Sequence, residues 1–197
     1  MPKVSDAHRH ARRDEIARAT LRCMRRQGLS GTTMADIIDE SGLSAGAIYG
    51  NFSNKAELIR HVAAQVLDGR AHRIDAFTAA DGPGHPSPAQ IVELALTSLI
   101  DDDVPFEVFV QFWAESSVDA EIRSTVQEFT GQLEQVFVRA IRPWCDQRGT
   151  DRADRASAEA LAPVMIAICH GFIVRAAVSG DLDPPTYVAG ARTLLAD

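Results

Sequence analysis

The chain of 197 residues is most informative first for what it lacks. No stretch shows strand-like alternation or a hairpin signal, so sheet architectures are excluded and an all-α fold is expected. Cysteine is scarce: Cys23, Cys145 and Cys169 are an odd set without metal-like or redox spacing. Each lies in an apolar helical context and reads as a core thiol, with redox sensing the weaker alternative. Neither metal nor cofactor is expected. No Ser-His-Asp order, metal-spaced His/Cys set or phosphate loop is present, so no enzyme is expected. The run Asp101-Asp102-Asp103 reads as a solvated helix stop. The first fifteen residues have no apolar core of a signal peptide. The longest apolar run, Leu161–Val174, is interrupted by His170 and Gly171 and looks too short to span a bilayer. A cytoplasmic, reduced setting without a membrane is expected.

Charge is also unevenly divided along the chain. The net charge of −7 conceals residues 1–73, with 12 Lys and Arg against 8 Asp and Glu, and residues 74–197, with 8 against 19. A head of net +4 on a body of net −11 fits nucleic-acid binding confined to one end. Only one Pro/Gly-rich tract exists, Ala80 to Pro88, and it reads as an exposed loop.

What is present is concentrated between Thr32 and Leu58. Thr33 is placed to N-cap a short helix, and Asp36 completes a capping-box spacing. Ala35, Ile37 and Ile38 give that helix its apolar side. Gly42 falls where a left-handed residue ends a helix at little cost, and Leu43 pins the turn. Ser44 can cap a second helix from Ala45 to about Phe52, with Ile48 and Phe52 facing inward and Tyr49, Gly50 and Asn51 outward or sideways. Ser53 or Asn54 caps a third helix that carries Lys55. Two short helices joined by a tight glycine turn are the local grammar of a helix-turn-helix DNA reader.

This run resembles the DNA-binding domain of tetracycline-repressor-type (TetR family) regulators. The matching positions are Thr33, Ile37, Gly42, Leu43, Ser44, Tyr49, Phe52, Lys55 and Leu58, and the helix before them is similar too. Ile38 stands where the family usually has Ala, and Met24 where an aromatic is common; both keep the positions apolar. The resemblance implies DNA contacts at Thr33, Ser44, Tyr49 and Lys55. Helix N-terminal amides bind phosphate, so Ala45 and Gly46 join that set. Asn51 can serve phosphate or a base edge. The second helix otherwise offers no Arg, Lys or Gln for reading bases. The expected partner is double-stranded operator DNA.

About nine helices are expected, a layout that also resembles the family. The expected domains are 1–53 for DNA binding, a connecting helix 54–77 that Gly69 could bend, and 78–197 for ligand binding and dimerisation. Helices are expected over about 6–27, 89–100, 105–117, 120–148, from Asp151 or Asp154 to Ser179, and from Pro184 to about Leu195. Pro143 should kink or break the segment 120–148, and Pro163 should bend the start of the next. Phe112–Glu115 and Asp119–Arg123 are similar, more loosely, to a subfamily's C-terminal pattern. The stretch 161–178 is apolar on nearly every face, and Tyr187, Val188, Ala191, Leu194 and Leu195 make an amphipathic partner. The family resemblance implies a homodimer through these last two helices, about 154–179 and 184–195. An aromatic set, Phe106, Phe109, Trp113, Phe129, Phe137, with Met165 and His170, can line a small-molecule effector site or be plain core. Glu115, His170 or Arg175 could orient a polar group of that effector. The expected function is a homodimeric repressor released from a palindromic operator by its effector. An activator of the same family, or a helical interaction module without ligand response, are the alternatives.

Overall fold

A computed structural model describes residues 6–79, 84–101, 105–147, 157–180 and 182–195. Among them lie nine helices and no strand: α1 Asp6–Gly31, α2 Met34–Ser41, α3 Ala45–Tyr49, α4 Lys55–Ala79, α5 Pro88–Asp101, α6 Phe106–Ser116, α7 Ala120–Gln147, α8 Ala158–Val178 and α9 Pro184–Leu194. The aspartates 102–103, the prolines and glycines of 80–83, and Asp151 and Asp154 lie outside the described residues. α8 begins later than the sequence suggests. Ser157, in extended conformation, caps it and accepts from Ala160 N. The expected bends do not interrupt their helices: α4 runs through Gly69, α7 through Pro143 and α8 through Pro163.

The chain forms two compact units, cut differently from the expected domains. One holds the chain up to Gln65 together with Glu107–Val126; the other holds Val66–Phe106 and the chain from Gln127 onward. The reason is packing. In the first unit Met24, Leu29, Ile59 and Val108 are buried together with Phe112 and Ile122 against them, so most of α6 and the start of α7 share a core with α1 and α4. A second cluster of that unit holds Ile16, Ala17, Cys23, Ile37, Ile48, Phe52, Leu58 and Val62, with Leu21, Met34, Ile38 and Leu43 at its edge. Met24 and Ile38, the two departures from the family pattern, thus both fill core or core-edge space. Each large aliphatic or aromatic side chain buried this way contributes roughly 1.5–3 kcal/mol relative to exposure.

The looser Phe112–Arg123 pattern has a local meaning. Asp119 Oδ1 accepts from Glu121 N at 2.8 Å and Ile122 N at 3.0 Å, capping α7. Arg123 donates to the carbonyls of Ser116 at 2.8 Å and Ser117 at 2.7 Å, closing the α6–α7 turn.

In the second unit α8 and α9 both pack on α5. Ala158, Ala162, Met165, Ile166, Cys169, Phe172 and Ile173 are the buried side of α8. Tyr187 of α9 donates to Ile168 O at 2.8 Å and meets the Phe172 ring at 5.3 Å. A Cβ on Gly171 would lie 2.9 Å from the Tyr187 hydroxyl, so the glycine permits this α8–α9 approach. At 21 residues α8 is, by length and composition alone, long and apolar enough to cross a membrane, contrary to the expectation from Leu161–Val174. His170 and Gly171 lie inside the helix rather than ending it. A core helix of a soluble protein passes the same test, and one side of α8 is core.

Candidate nucleic-acid interface

The helix-turn-helix is built from its caps upward. Thr33 Oγ1 accepts from Asp36 N at 3.2 Å, while Asp36 Oδ2 accepts from Thr33 N at 2.7 Å and from its hydroxyl at 2.6 Å. These bonds to Thr33 hold the Asp36 carboxyl below the ordinary aspartate range. Gly42, at φ 67°, ends α2 with its N–H on Ile38 O. Ser44 Oγ accepts from Ala47 N at 3.2 Å to start α3.

α3 is shorter than its sequence pattern suggests. Regular helix ends at Tyr49, and the next turn tightens: Asn51 N donates to Ile48 O at 3.0 Å rather than to Ala47 O. The Ala47 carbonyl is taken instead by Asn51 Nδ2 at 2.8 Å. One N–H of the Asn51 amide is therefore engaged at home, which leaves its second N–H and its carbonyl oxygen for DNA. A Cβ at Gly50 would lie 3.0 Å from Gly46 O, which keeps that turn tight.

Arg13 fixes the far end of the reader, a role no local signal revealed. Its Nη1 donates to Asn51 O at 2.7 Å, its guanidinium lies 4.0 Å from the Phe52 ring centre, and Glu57 is 3.8 Å away. Phe52 and Ile48 are fully buried beneath. α4 then starts at Asn54, whose Oδ1 accepts from Glu57 N at 2.8 Å, while Glu57 accepts from Ser53. Those Ser53 bonds hold the Glu57 carboxyl below its ordinary range. The choice between Ser53 and Asn54 as cap falls to Asn54.

Of the expected DNA residues, Thr33, Ser44, Ala45, Gly46 and Tyr49 are exposed, Tyr49 by 52% despite its size. Asn51 and Lys55 are half-buried. Lys55 is turned inward: its ammonium donates to Leu29 O at 2.5 Å. Burial pushes the Lys55 pKa down, and the nearby Glu115 and Asp36 charges oppose that shift. Arg22 and Arg26 of α1 are likewise occupied, both on Glu40 of α2 at 2.6 Å.

The expected effector residues fall in both units. Phe109 and Trp113, with ring centres 6.4 Å apart, belong to the first. Phe106, Phe129, Phe137, Met165 and His170 belong to the second, where Phe106 meets Phe172 edge-on at 5.7 Å. Phe137 and Met165 are fully buried; Phe106, Phe129 and His170 are partly so. Burial lowers the His170 pKa, which keeps the ring neutral near pH 7. Sequence reasoning missed the buried Arg70 of the same unit, which donates to Val66 O at 3.1 Å. Cys169 is buried too, and burial pushes its thiol up to about 12 although the Arg70 charge pulls the other way. Cys23 is also raised by burial, so neither buried thiol is activated for redox chemistry.

A family model described as bacterial regulatory proteins of the tetR family matches residues 16–62. A second, described as the C-terminal part of BetI-type transcriptional repressors, matches residues 88–197, more than half of the chain. The HTH-type transcriptional regulator YfiR of Bacillus subtilis is 36% identical over 74 residues, 38% of this chain and 36% of that protein. The regulator TtgR of Pseudomonas putida is 44% identical over 48 residues, 24% of this chain and 23% of that protein. The chain thus matches about a third of the first relative's length and less than a quarter of the second's. The regulator BetI of Burkholderia lata is 25% identical over 188 residues, covering 91% of this chain and 88% of that protein. Among solved structures, Salmonella enterica GusR aligns with TM-score 0.72 at 19% identity, over 98% of this chain and 97% of that one. A TetR transcription regulator from Haloarcula marismortui aligns with TM-score 0.72 at 19% identity, over 95% of each chain.

Proposed function

The chain belongs to the tetR family of bacterial regulatory proteins, and on that premise we propose a homodimeric repressor that a small molecule releases from a palindromic operator. It is a DNA-binding transcriptional regulator of TetR/BetI type, not an enzyme. The observation that carries the DNA reading is Tyr49. A large aromatic side chain stands 52% exposed on a short helix whose two ends are held by Ser44 and Arg13. A helix so fixed loses little freedom on entering a major groove, which is what an aromatic contact needs to contribute affinity. The Ser44 hydroxyl and the amides at Ala45 and Gly46 supply phosphate contacts, and Thr33 joins them by exchanging its hydroxyl bond to Asp36 for one to a phosphate. Asn51 adds its carbonyl oxygen and the N–H not spent on Ala47. Lys55 acts as a phosphate clamp only through N–H groups beyond the one it spends on Leu29.

A single α3 contacts too few bases for sharp specificity, and a two-fold dimer supplies a second half-site about 34–36 Å away. The support for dimerisation is α8. Ala160, Val164, Ala167, Val174 and Val178 are exposed along one side of it, with Gly171 half-exposed among them, at helical spacing. Exposed small and apolar side chains in one stripe suit close helix packing against a second copy. Leu194 of α9, 74% exposed, extends the same apolar character.

The effector is placed in the second unit, among Phe106, Phe129, Phe137, Met165, His170 and Phe172. Such aromatic surroundings favour a flat or apolar molecule. α4 is the lever of release, because it passes from the first unit into the second at Gln65–Val66. A hundredfold release requires the effector to favour the non-binding state by roughly a hundredfold in affinity.

Gel shift on the DNA upstream of its own coding sequence tests the DNA contact. Tyr49→Ala is expected to weaken binding roughly tenfold, about 1.4 kcal/mol, without loss of helicity, since the side chain carries no core. Unchanged affinity would remove Tyr49 from the interface.

A further inference from the structure

Leu29 is a three-way junction within the first unit. Immediately before it, Gly28 breaks α1 at φ 78° and ψ 172°, so the peptide that follows leaves the helical ladder. Both polar atoms of Leu29 are then met by side chains from other helices. Its N–H donates to Gln111 Oε1 of α6 at 2.6 Å, across 82 positions of sequence. Its carbonyl accepts from Lys55 Nζ of α4 at 2.5 Å. Its side chain is buried among Met24, Ile59, Val108, Phe112 and Ile122, which come from α1, α4, α6 and α7.

The chain beyond Leu29 is stiff. Thr32 closes a turn on Gly28 O with both its N–H, at 3.2 Å, and its hydroxyl, at 2.7 Å, and Thr32 is itself fully buried. The next residue, Thr33, is the N-cap of α2. Wherever the Leu29 peptide is held, the start of the helix-turn-helix is therefore held too. Gln111 is part of a helix whose first residue, Phe106, lies in the second unit against Phe172, one and a half turns before Gln111 along α6.

We propose that Gln111 and Lys55 form a latch on the two sides of the Leu29 peptide that sets the position of α2, and with it of α3, for operator binding. Gln111 is a positioning residue here: it touches no DNA in any docking through α3, because it is engaged on the opposite end of the α1–α2 link. This gives the second unit a connection to the reader through α6, in addition to the one through α4. The inference rests on the operator-binding reading above for its functional half, and on the hydrogen bonds alone for its structural half.

The test is the full-length chain carrying Gln111→Leu or Gln111→Glu. Leucine keeps the volume and removes the acceptor; glutamate keeps an acceptor beside Lys55. Gln111→Leu is expected to bind the operator roughly tenfold more weakly and to speed hydrogen exchange at the Leu29 amide by a similar factor. Exchange in α5, α8 and α9 should not change. Gln111→Glu is expected to restore both readouts. Wild-type affinity and wild-type Leu29 protection in Gln111→Leu would overturn the latch. So would a loss spread over all nine helices and not restored by Gln111→Glu, which marks general destabilisation. If the wild-type chain binds no operator, the operator reading fails, and exchange at Leu29 still decides whether the latch exists.

Discussion

Ala167→Glu is expected to leave the chain folded and monomeric and to weaken operator binding by more than roughly a hundredfold. Ala167 lies midway along the exposed stripe of α8, between Val164 and Val174. In an isolated chain its side chain faces water, so a glutamate there costs little and helix propensity barely changes. In a two-fold dimer the same substitution appears twice, close to the axis, and each carboxylate must leave water without a partner. The penalty is several kcal/mol for each buried, unpaired charge, beyond what an interface of ordinary size has in surplus. A monomer retains one α3 and loses the second half-site, so both affinity and spacing preference fall together. Light scattering after gel filtration reads the oligomeric state, and gel shift reads the affinity. A dimer that persists in Ala167→Glu would move the interface away from α8.

Gly28→Ala is expected to cost about 3 kcal/mol of stability, a large share of what a domain of this size holds. Two terms add. At φ 78° and ψ 172° the backbone occupies a region that is essentially glycine-only, worth roughly 1–3 kcal/mol of strain for any other residue. The new Cβ would also lie 3.0 Å from Gln111 Oε1, the acceptor of the Leu29 N–H. If Gln111 yields, that buried donor loses its partner, worth roughly another 1–3 kcal/mol. Gly31, three residues on, is the control. It ends the short turn beyond the break without a positive φ, and a Cβ there would make only ordinary contacts with Gln27 at 3.6 and 3.8 Å. Gly31→Ala should be neutral or stabilising by up to about 1 kcal/mol. Urea unfolding followed by circular dichroism separates the two variants. Equal stability of the two would mean that Gly28 carries no special conformational burden.

The contrast between these two glycines shows what could be read from sequence. Interactions that span three or four residues were legible because their partners are neighbours in the string. Thr33 with Asp36, Ser44 with Ala47, Gly42 ending α2, and Asp119 starting α7 all belong to this class. Arg13 was not legible, because Arg12 beside it looks the same and pairs with Glu15 three positions on, whereas the carbonyl that Arg13 holds is 38 positions away. Gln111 had no signal at all. Lys55 shows the opposite error of emphasis: its place at the head of α4 suggests a phosphate contact, but its desolvation and its bond to Leu29 depend on α1, which spacing cannot reveal. Ser157 caps α8 through Ala160 N, a position the sequence reading passed over for Asp151 or Asp154. The division into units was hidden for the reason that hid the setting of Lys55. Val108 and Phe112 look like any apolar residues of α6 until Leu29 and Ile59 are found beside them.

The internal employment of so many cations has a consequence for ionic strength. Arg13, Arg22, Arg26 and Lys55 are four of the 12 basic residues that give the first 73 positions their positive balance, and each is already bound within the protein. A guanidinium paired with a carboxylate, as Arg22 and Arg26 are with Glu40, and a cation turned inward on a carbonyl, as Lys55 is, both stand less ready to displace sodium or potassium from a phosphate. Each phosphate that is neutralised contributes roughly 0.9 to the slope of log affinity against log salt. These four therefore add less to the counterion release of each half-site than their charge alone suggests. The reader's hold on DNA should depend on backbone amides, hydroxyls and Tyr49, which release none, and should fall only gently as potassium chloride is raised. A slope near ten in a salt titration would contradict that picture.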